Sequence, residues 1–176
     1  MLSGKCGMIT LHMGSDDRTL SLVEQALETT SIPIKIFHPT HVTRSRKLME
    51  DAFAFARKGG YIDMTCGSKG ESAPSLCVMR AKEQGVPMQN ITFSSDGMGS
   101  WSTYDEAGNL LRIGYSAVDT VYQEIKRLVQ EYKMPLEEAL CFGTSNTARA
   151  LEIERKKGHI APGMDADLLL MDEDLT

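Results

Sequence analysis

The residues in this chain best suited to chemistry are three histidines and one aspartate. His12 sits in the run MITLHMG, residues 8–14. His38 and His41 lie in IPIKIFHPTHV, residues 32–42, and Arg44 follows three positions after His41. Asp96 follows ITFSS in ITFSSDGMGSWS, residues 91–102, with Ser94, Ser95 and Ser100 around it. Neutral imidazole and carboxylate oxygen together suit a borderline-soft divalent ion, zinc first, at about 2.0–2.2 Å. Each residue alone also has a plainer reading, as a histidine satisfied by hydrogen bonds or an aspartate in a turn or cap. The set forms no short motif, so the elements that carry it must decide whether it converges.

Four similar units follow one another, each a short β-type run, a polar loop and a helical pattern. Strand starts are expected near 8, 33, 60 and 91, so each unit is about 25–31 residues long, the length of one βα unit. Helices are expected over roughly 18–29, 46–58, 74–84 and 116–132, with shorter ones over 134–142 and 144–151. Asp16 or Asp17 can cap the first helix. The stretch MGSWSTYDEAGNLLRIG reads as a long polar loop with a turn at EAGN, and Ala166–Met171 reads as a strand after the Pro162-Gly163 turn. Strands alternating with helices imply a parallel sheet with right-handed crossovers. A full eight-unit barrel needs about 250 residues, so four units amount to half of one; an open four-stranded sheet is the alternative from periodicity.

In parallel α/β architectures, ligands gather at the carboxyl ends of the strands. His12, then His38, His41 and Arg44, then Asp63, Thr65 and Cys66, then Asp96 fall at those four ends. Three strand ends thus offer His12, His41 and Asp96 to one rim. His38 reads as structural and His159 as a surface residue of the tail.

The totals exclude several classes. The 176 residues, 41% hydrophobic and 24% charged, suffice for one domain with a real core. A net charge of −5 and a pI near 5.4 argue against nucleic acid or an anionic membrane as partner. No apolar run reaches the roughly 18–20 residues of a membrane span, and the first residues make a poor signal peptide. Cys6, Cys66, Cys77 and Cys141 are scattered without a C-x-x-C pair, as expected of free thiols in a cytoplasmic protein. Neither a G-x-G-x-x-G nucleotide fingerprint nor a phosphate-binding G-x-x-x-x-G-K-[ST] loop occurs.

The segments LHMGSDD, HPTHVTR, FARKGGYIDMT, ITFSSDGMGS and GHIAPGMDADLLLMD resemble the isoaspartyl dipeptidases (β-aspartyl peptidases) of the amidohydrolase superfamily. The resemblance spans nearly the whole chain. It is most specific in PTHVTR and SSDGMGS. It implies a metal-bearing (β/α)₈ barrel beside a small β-sandwich, and cleavage of the isopeptide bond after a β-linked aspartyl residue. By resemblance, His12 and His41 are the metal-binding histidines of barrel strands five and six. Asp96 is the strand-eight aspartate that touches metal and shuttles protons. Arg44 grips a substrate carboxylate, and Ser100 lies at the substrate pocket. Two zinc ions would occupy the complete family site, and β-aspartyl dipeptides would be its substrates.

The sequence departs from that pattern in one large respect. The family site also needs an H-x-H pair on its first strand and a carbamylated lysine on strand four. No H-x-H occurs in the sequence, and no lysine ends a strand ahead of His12. The chain therefore reads as the C-terminal half of such an enzyme. Residues 1–157 would supply strands five to eight with their helices, and 158–176 would begin the return to the sandwich. Such a half exposes sheet edges, so the expected partner is the missing N-terminal half or a second half-barrel in a homo-oligomer. The isolated chain is expected to be inactive. The competing readings are another amidohydrolase reaction, on a cyclic amide or an acetyl group, and a folded fragment without turnover.

Overall fold

The computed structural model describes residues 6–176. Four short parallel strands carry the fold: β1 (Ile9–His12), β2 (Phe37–Thr40), β3 (Ile62–Thr65) and β4 (Ile91–Ser94). β1 pairs with β2, with Thr10 opposite His38 and His12 opposite Thr40. β3 pairs with β4, with Asp63 opposite Thr92 and Thr65 opposite Ser94. β2 and β3 lie side by side. They are joined by the Val42 N–H donating to the Asp63 carbonyl at 3.4 Å and by the Thr40 hydroxyl donating to the Asp63 carboxylate at 2.6 Å.

Side chains alternate across a strand, and that period sorts these sixteen residues into two faces. Leu11, Phe37, Ile62, Met64, Ile91 and Phe93 point into the apolar core or pack against it. Thr10, His12, His38, Thr40, Asp63, Thr65, Thr92 and Ser94 occupy the alternate positions. The sheet therefore has one apolar face under helices and one polar face.

The helices that contribute to the apolar core are α1 (Ser21–Thr29), α2 (Arg46–Arg57), α3 (Pro74–Glu83), α4 (Thr120–Gln130) and α5 (Leu136–Cys141); α6 (Ser145–Ala150) packs beside β4. α2 starts where Ser45 turns extended and its hydroxyl accepts the Leu48 N–H at 3.2 Å. Its Leu48, Ala52, Phe53, Phe55 and Ala56 are all buried, as their helical spacing predicts. Burying each large apolar side chain contributes about 1.5–3 kcal/mol. α3 opens on Pro74, whose missing N–H falls at an end where no helical bond is needed. A buried Glu124 on α4 accepts the Ser75 N–H at 2.9 Å and so caps α3 from a neighbouring helix. The outer edge of β4 is covered as well: the Phe93 N–H donates to the Phe142 carbonyl at 3.0 Å, and buried Asn146 donates to the Met88 and Ile91 carbonyls, both at 2.9 Å.

Four expectations are corrected. The stretch 98–114, read as a loop, contains an antiparallel hairpin, β5 (Ser100–Tyr104) and β6 (Leu110–Tyr115), with a bulge between Thr103 and Tyr104. Its turn is held by Asp105, whose carboxylate accepts the N–H groups of Ala107 and Asn109 at 3.0 and 2.7 Å. Gly114 lies under the Trp101 ring, where a Cβ would stand 2.2 Å from the ring and push it aside. No strand forms over Ala166–Met171: Leu169 and Leu170 are 82% and 100% exposed, and a strand without a ladder partner has nothing to define it. α1 is not capped by Asp16 or Asp17; Asp16 instead binds the backbone and guanidinium of Arg18. His38 and Asp63 lie inside β2 and β3 rather than at their ends. Among the described residues, no helix is long and apolar enough to cross a membrane, and Cys6, Cys66, Cys77 and Cys141 are all free.

Candidate active site

Two of the sequence-selected residues meet at the carboxyl rim. His12 ends β1 and is exposed; His41 follows β2 and is buried. The Nδ1 of His12 and the Nε2 of His41 are 3.0 Å apart. His41 reaches that position by a left-handed backbone, φ +61°, a conformation that costs a non-glycine residue about 1–2 kcal/mol. Asp96 does the same after β4, φ +48°. The rim thus carries two residues in left-handed backbone conformations, both with side chains able to bind a metal or move a proton.

Asp96 is held in its own loop. The Gly99 N–H donates to the Asp96 carbonyl at 2.8 Å. A Cβ on Gly99 would lie 2.8 Å from both the Asp96 carbonyl oxygen and Oδ1, so only glycine lets the loop fold back over the aspartate. The hairpin closes directly above: the Met98 N–H donates to the Ser116 carbonyl at 3.0 Å, and the Ser116 N–H to the Gly99 carbonyl at 2.9 Å. Among the described residues, no cluster of three His, Cys, Asp or Glu side chains is poised around a single ion position. The His12–His41 pair fits two corners of a metal's coordination shell, and Asp96 stands on the same rim without joining them.

Two cavities open at this rim. One of about 390 Å³ has His41, Arg44, Thr65, Asp96, Trp101 and Tyr115 in its wall. The other, about 300 Å³, lies against the polar face of the sheet, with His12, His38, Thr40, Asp63 and Thr92. Arg44 donates from Nη1 to the Met13 carbonyl at 2.7 Å, which anchors one corner of its guanidinium and leaves the rest facing the first cavity. Ser100 begins β5 on an exposed stretch and is not in either cavity wall.

Beneath the rim lies a network of polar side chains that no sequence motif announces. Buried Asp63 accepts from the hydroxyls of Thr40 (2.6 Å) and Ser94 (2.5 Å) on Oδ2 and from Thr92 (2.9 Å) on Oδ1. Thr40 in turn lies 3.2 Å from the Thr65 hydroxyl, which is 2.7 Å from Nδ1 of His41. His38 Nε2 is 3.0 Å from the Thr92 hydroxyl. The available signal was the alternation of threonine and serine with Ile, Met and Phe in β3 and β4.

Burial holds the imidazoles of His38 and His41 below the usual histidine range; for His41, Arg44 and His12 push the same way, against Asp96 and Asp63. Burial pushes the Cys66 thiol up, and that of Cys77 to about 11, so neither is a nucleophile near neutral pH. A histidine depressed in the folded state binds its proton more readily once unfolded. Its contribution to stability is complete above about pH 6.5, the unfolded value, and is lost as pH falls through the folded values. Urea midpoints measured from about pH 8 downward are therefore expected to fall below about pH 6.5, and to fall less in His38→Gln. A midpoint flat across that window would contradict the assignment.

Across 98% of its length the chain superposes on a β-aspartyl dipeptidase from Fervidobacterium islandicum AW-1, crystallised with a β-Asp-Leu dipeptide, with a TM-score of 0.89 and 39% identity, covering 45% of that chain. A second structure of β-aspartyl dipeptidase from the same organism gives 0.84 and 37% over 98% of this chain and 43% of that one. An amidohydrolase from Thermotoga maritima MSB8, at 19% identity and a TM-score of 0.57, covers 91% of this chain and 36% of that one and shares the fold. The chain thus spans under half the length of these proteins. Residues 10–176 match the sequence model of the Amidohydrolase family. That match takes in all four parallel strands except the first residue of β1, along with both histidines of the rim, and the chain belongs to the amidohydrolase family.

Proposed function

We propose that the chain is the strand-five-to-eight half of a metal-dependent dipeptidase that hydrolyses the isopeptide bond of β-aspartyl dipeptides. The observation that carries this reading is the His12 Nδ1–His41 Nε2 approach of 3.0 Å on a rim shared with Asp96 and Arg44. It is supported by 39% identity to a dipeptidase crystallised with β-Asp-Leu. On this reading the barrel part ends at residue 157, and 158–176 would begin the return to a β-sandwich.

His12 and His41 would hold a divalent metal, zinc by the chemistry of the donor set. Such an ion, when bound, polarises the scissile carbonyl and acidifies water toward neutral pH. Asp96 takes the proton released by the attacking water on its carboxylate and returns it to the leaving amine. Arg44 offers a planar two-pronged donor to the substrate's carboxylate, which a lysine cannot reproduce. Trp101 and Tyr115 wall the cavity on its hairpin side.

A second reading, a folded half without turnover of its own, is favoured by one observation: among the described residues no third ligating side chain joins the histidine pair. The two readings separate in one experiment. Hydrolysis of a β-aspartyl dipeptide is measured on the chain with zinc, alone and mixed with a polypeptide supplying barrel strands one to four of the Fervidobacterium dipeptidase. Activity that appears only on mixing, and disappears in Asp96→Asn, supports the dipeptidase. A mixture that associates and binds zinc without hydrolysing the dipeptide would overturn it.

A further inference from the structure

Beneath the histidine pair, the hydrogen bonds have a direction that can be followed proton by proton. Thr40 Oγ1 spends its only proton on Asp63 Oδ2, at 2.6 Å. The 3.2 Å contact between Thr40 and Thr65 is then a hydrogen bond only with Thr65 donating and Thr40 accepting, and that is the one arrangement in which every contact of the series is bonded. That uses the only proton of Thr65. Toward His41 Nδ1, at 2.7 Å, Thr65 can then only accept, so Nδ1 carries the hydrogen. A neutral imidazole protonated on Nδ1 has its lone pair on Nε2, the atom that faces His12.

The second branch obeys the same count. Thr92 gives its proton to Asp63 Oδ1 at 2.9 Å, the shorter of two contacts, the other being the Ile62 carbonyl at 3.3 Å; with that proton spent, His38 donates Nε2–H into Thr92 at 3.0 Å. Ser94 adds a third donor to the carboxylate. Asp63 is 3% exposed and has only hydroxyl donors around its oxygens. One buried carboxylate thus sets the tautomers of two histidines, through one hydroxyl to His38 and through two in series to His41.

We propose that Asp63 is a positioning residue for metal capture: through Thr40 and Thr65 it fixes the His41 proton on Nδ1 and leaves Nε2 bare toward His12. The value of this to a metal rests on the dipeptidase reading above; the placement of the proton does not. Without an ion, His12 donates Nδ1–H into the Nε2 lone pair. Exposed His12 can carry its proton on the other nitrogen, so the pair can present two lone pairs without disturbing anything buried. Partners that orient a ligating imidazole through its far nitrogen typically change metal affinity 10- to 100-fold when removed.

The test reads the tautomers directly. Two-bond ¹⁵N–¹H spectra of the imidazoles are recorded on the metal-free chain at about pH 8, where unperturbed histidine is neutral. His41 is expected as the Nδ1–H form and His38 as the Nε2–H form. Thr40→Val breaks the series two bonds away from His41, frees Thr65 to donate, and is expected to turn His41 into a mixture. Thr40→Ser restores the parent spectrum. Thr65→Val, at a partly exposed position, gives the same loss by a second route if Thr40→Val does not fold. Zinc affinity, from competition with a chromophoric chelator, is expected to fall 10- to 100-fold in both valine variants and to recover in the serine variant. An Nε2–H form of His41 in the parent chain, or an unchanged tautomer in folded valine variants, overturns the proposal. So does a shifted tautomer with unchanged zinc affinity. If the tautomers move as expected but the parent binds no zinc at His12 and His41, the metal reading fails and the proton relay stands.

Discussion

Replacing His41 with alanine is expected to cost the chain more than about 100-fold in zinc affinity, a larger loss than removing a group that only orients a ligand. His41 presents Nε2 within 3.0 Å of His12 Nδ1, and among the described residues no group of three ligating side chains surrounds an ion position that could make up for its loss. A chelator competition on the isolated chain measures the loss without any need for turnover. The backbone at this position makes the experiment sharper. His41 sits at φ +61°, where alanine pays the same steric penalty as histidine but glycine does not. His41→Gly should lose zinc as His41→Ala does, while unfolding at a higher urea concentration than the alanine variant, by about 1 kcal/mol. If zinc affinity survived in both, the imidazole would be one more buried histidine with satisfied nitrogens and the rim would need another metal site.

The second large effect concerns the scaffold. Phe53→Ala is expected to destabilise the chain by about 3–5 kcal/mol, measured as the shift in urea unfolding. Phe53 is fully buried in the apolar cluster where α2 meets the strands, and its neighbours on the helix, Ala52 and Ala56, are too small to close the space it leaves. Folded domains hold about 5–15 kcal/mol in total, so this one change removes a large share. Leu22→Ala is the control: Leu22 is 66% exposed on α1, and its truncation should stay within about 0.5 kcal/mol. Similar shifts for the two variants would mean that α2 does not pack as described.

Much of this fold could be read from the pattern of residues. The helical spacing of Leu48, Ala52, Phe55 and Ala56 marked α2 to within a residue or so, because amphipathic periodicity over twelve residues has few other causes. His12 and His41 were singled out from strand ends, and the structure brings them together. The hairpin was missed because both its faces are solvent-exposed: Trp101, Tyr104, Leu110 and Ile113 have no buried side to alternate with. Leu168, Leu169 and Leu170 read as a strand from composition, but a strand is defined by a neighbour, which a local reading does not supply. Asp63 was visible as a polar residue on β3 and nothing more. Its role depends on the register that sets it opposite Thr92 and within reach of Thr40, and register belongs to four strands at once.

The hairpin after Asp96 has a consequence for how such a protein can change over time. Its base is pinned by the paired bonds between Met98, Gly99 and Ser116, and its tip turns at Asp105–Asn109 in open solvent. Lengthening the tip adds closure entropy that grows only logarithmically, about 0.6 kcal/mol for each doubling. Insertions there leave the clamp below, and hence the carboxylate, where they were. What overhangs the cavity and what does chemistry in it are thus separately heritable traits, and lineages can drift in what they admit without relearning how to hold the aspartate.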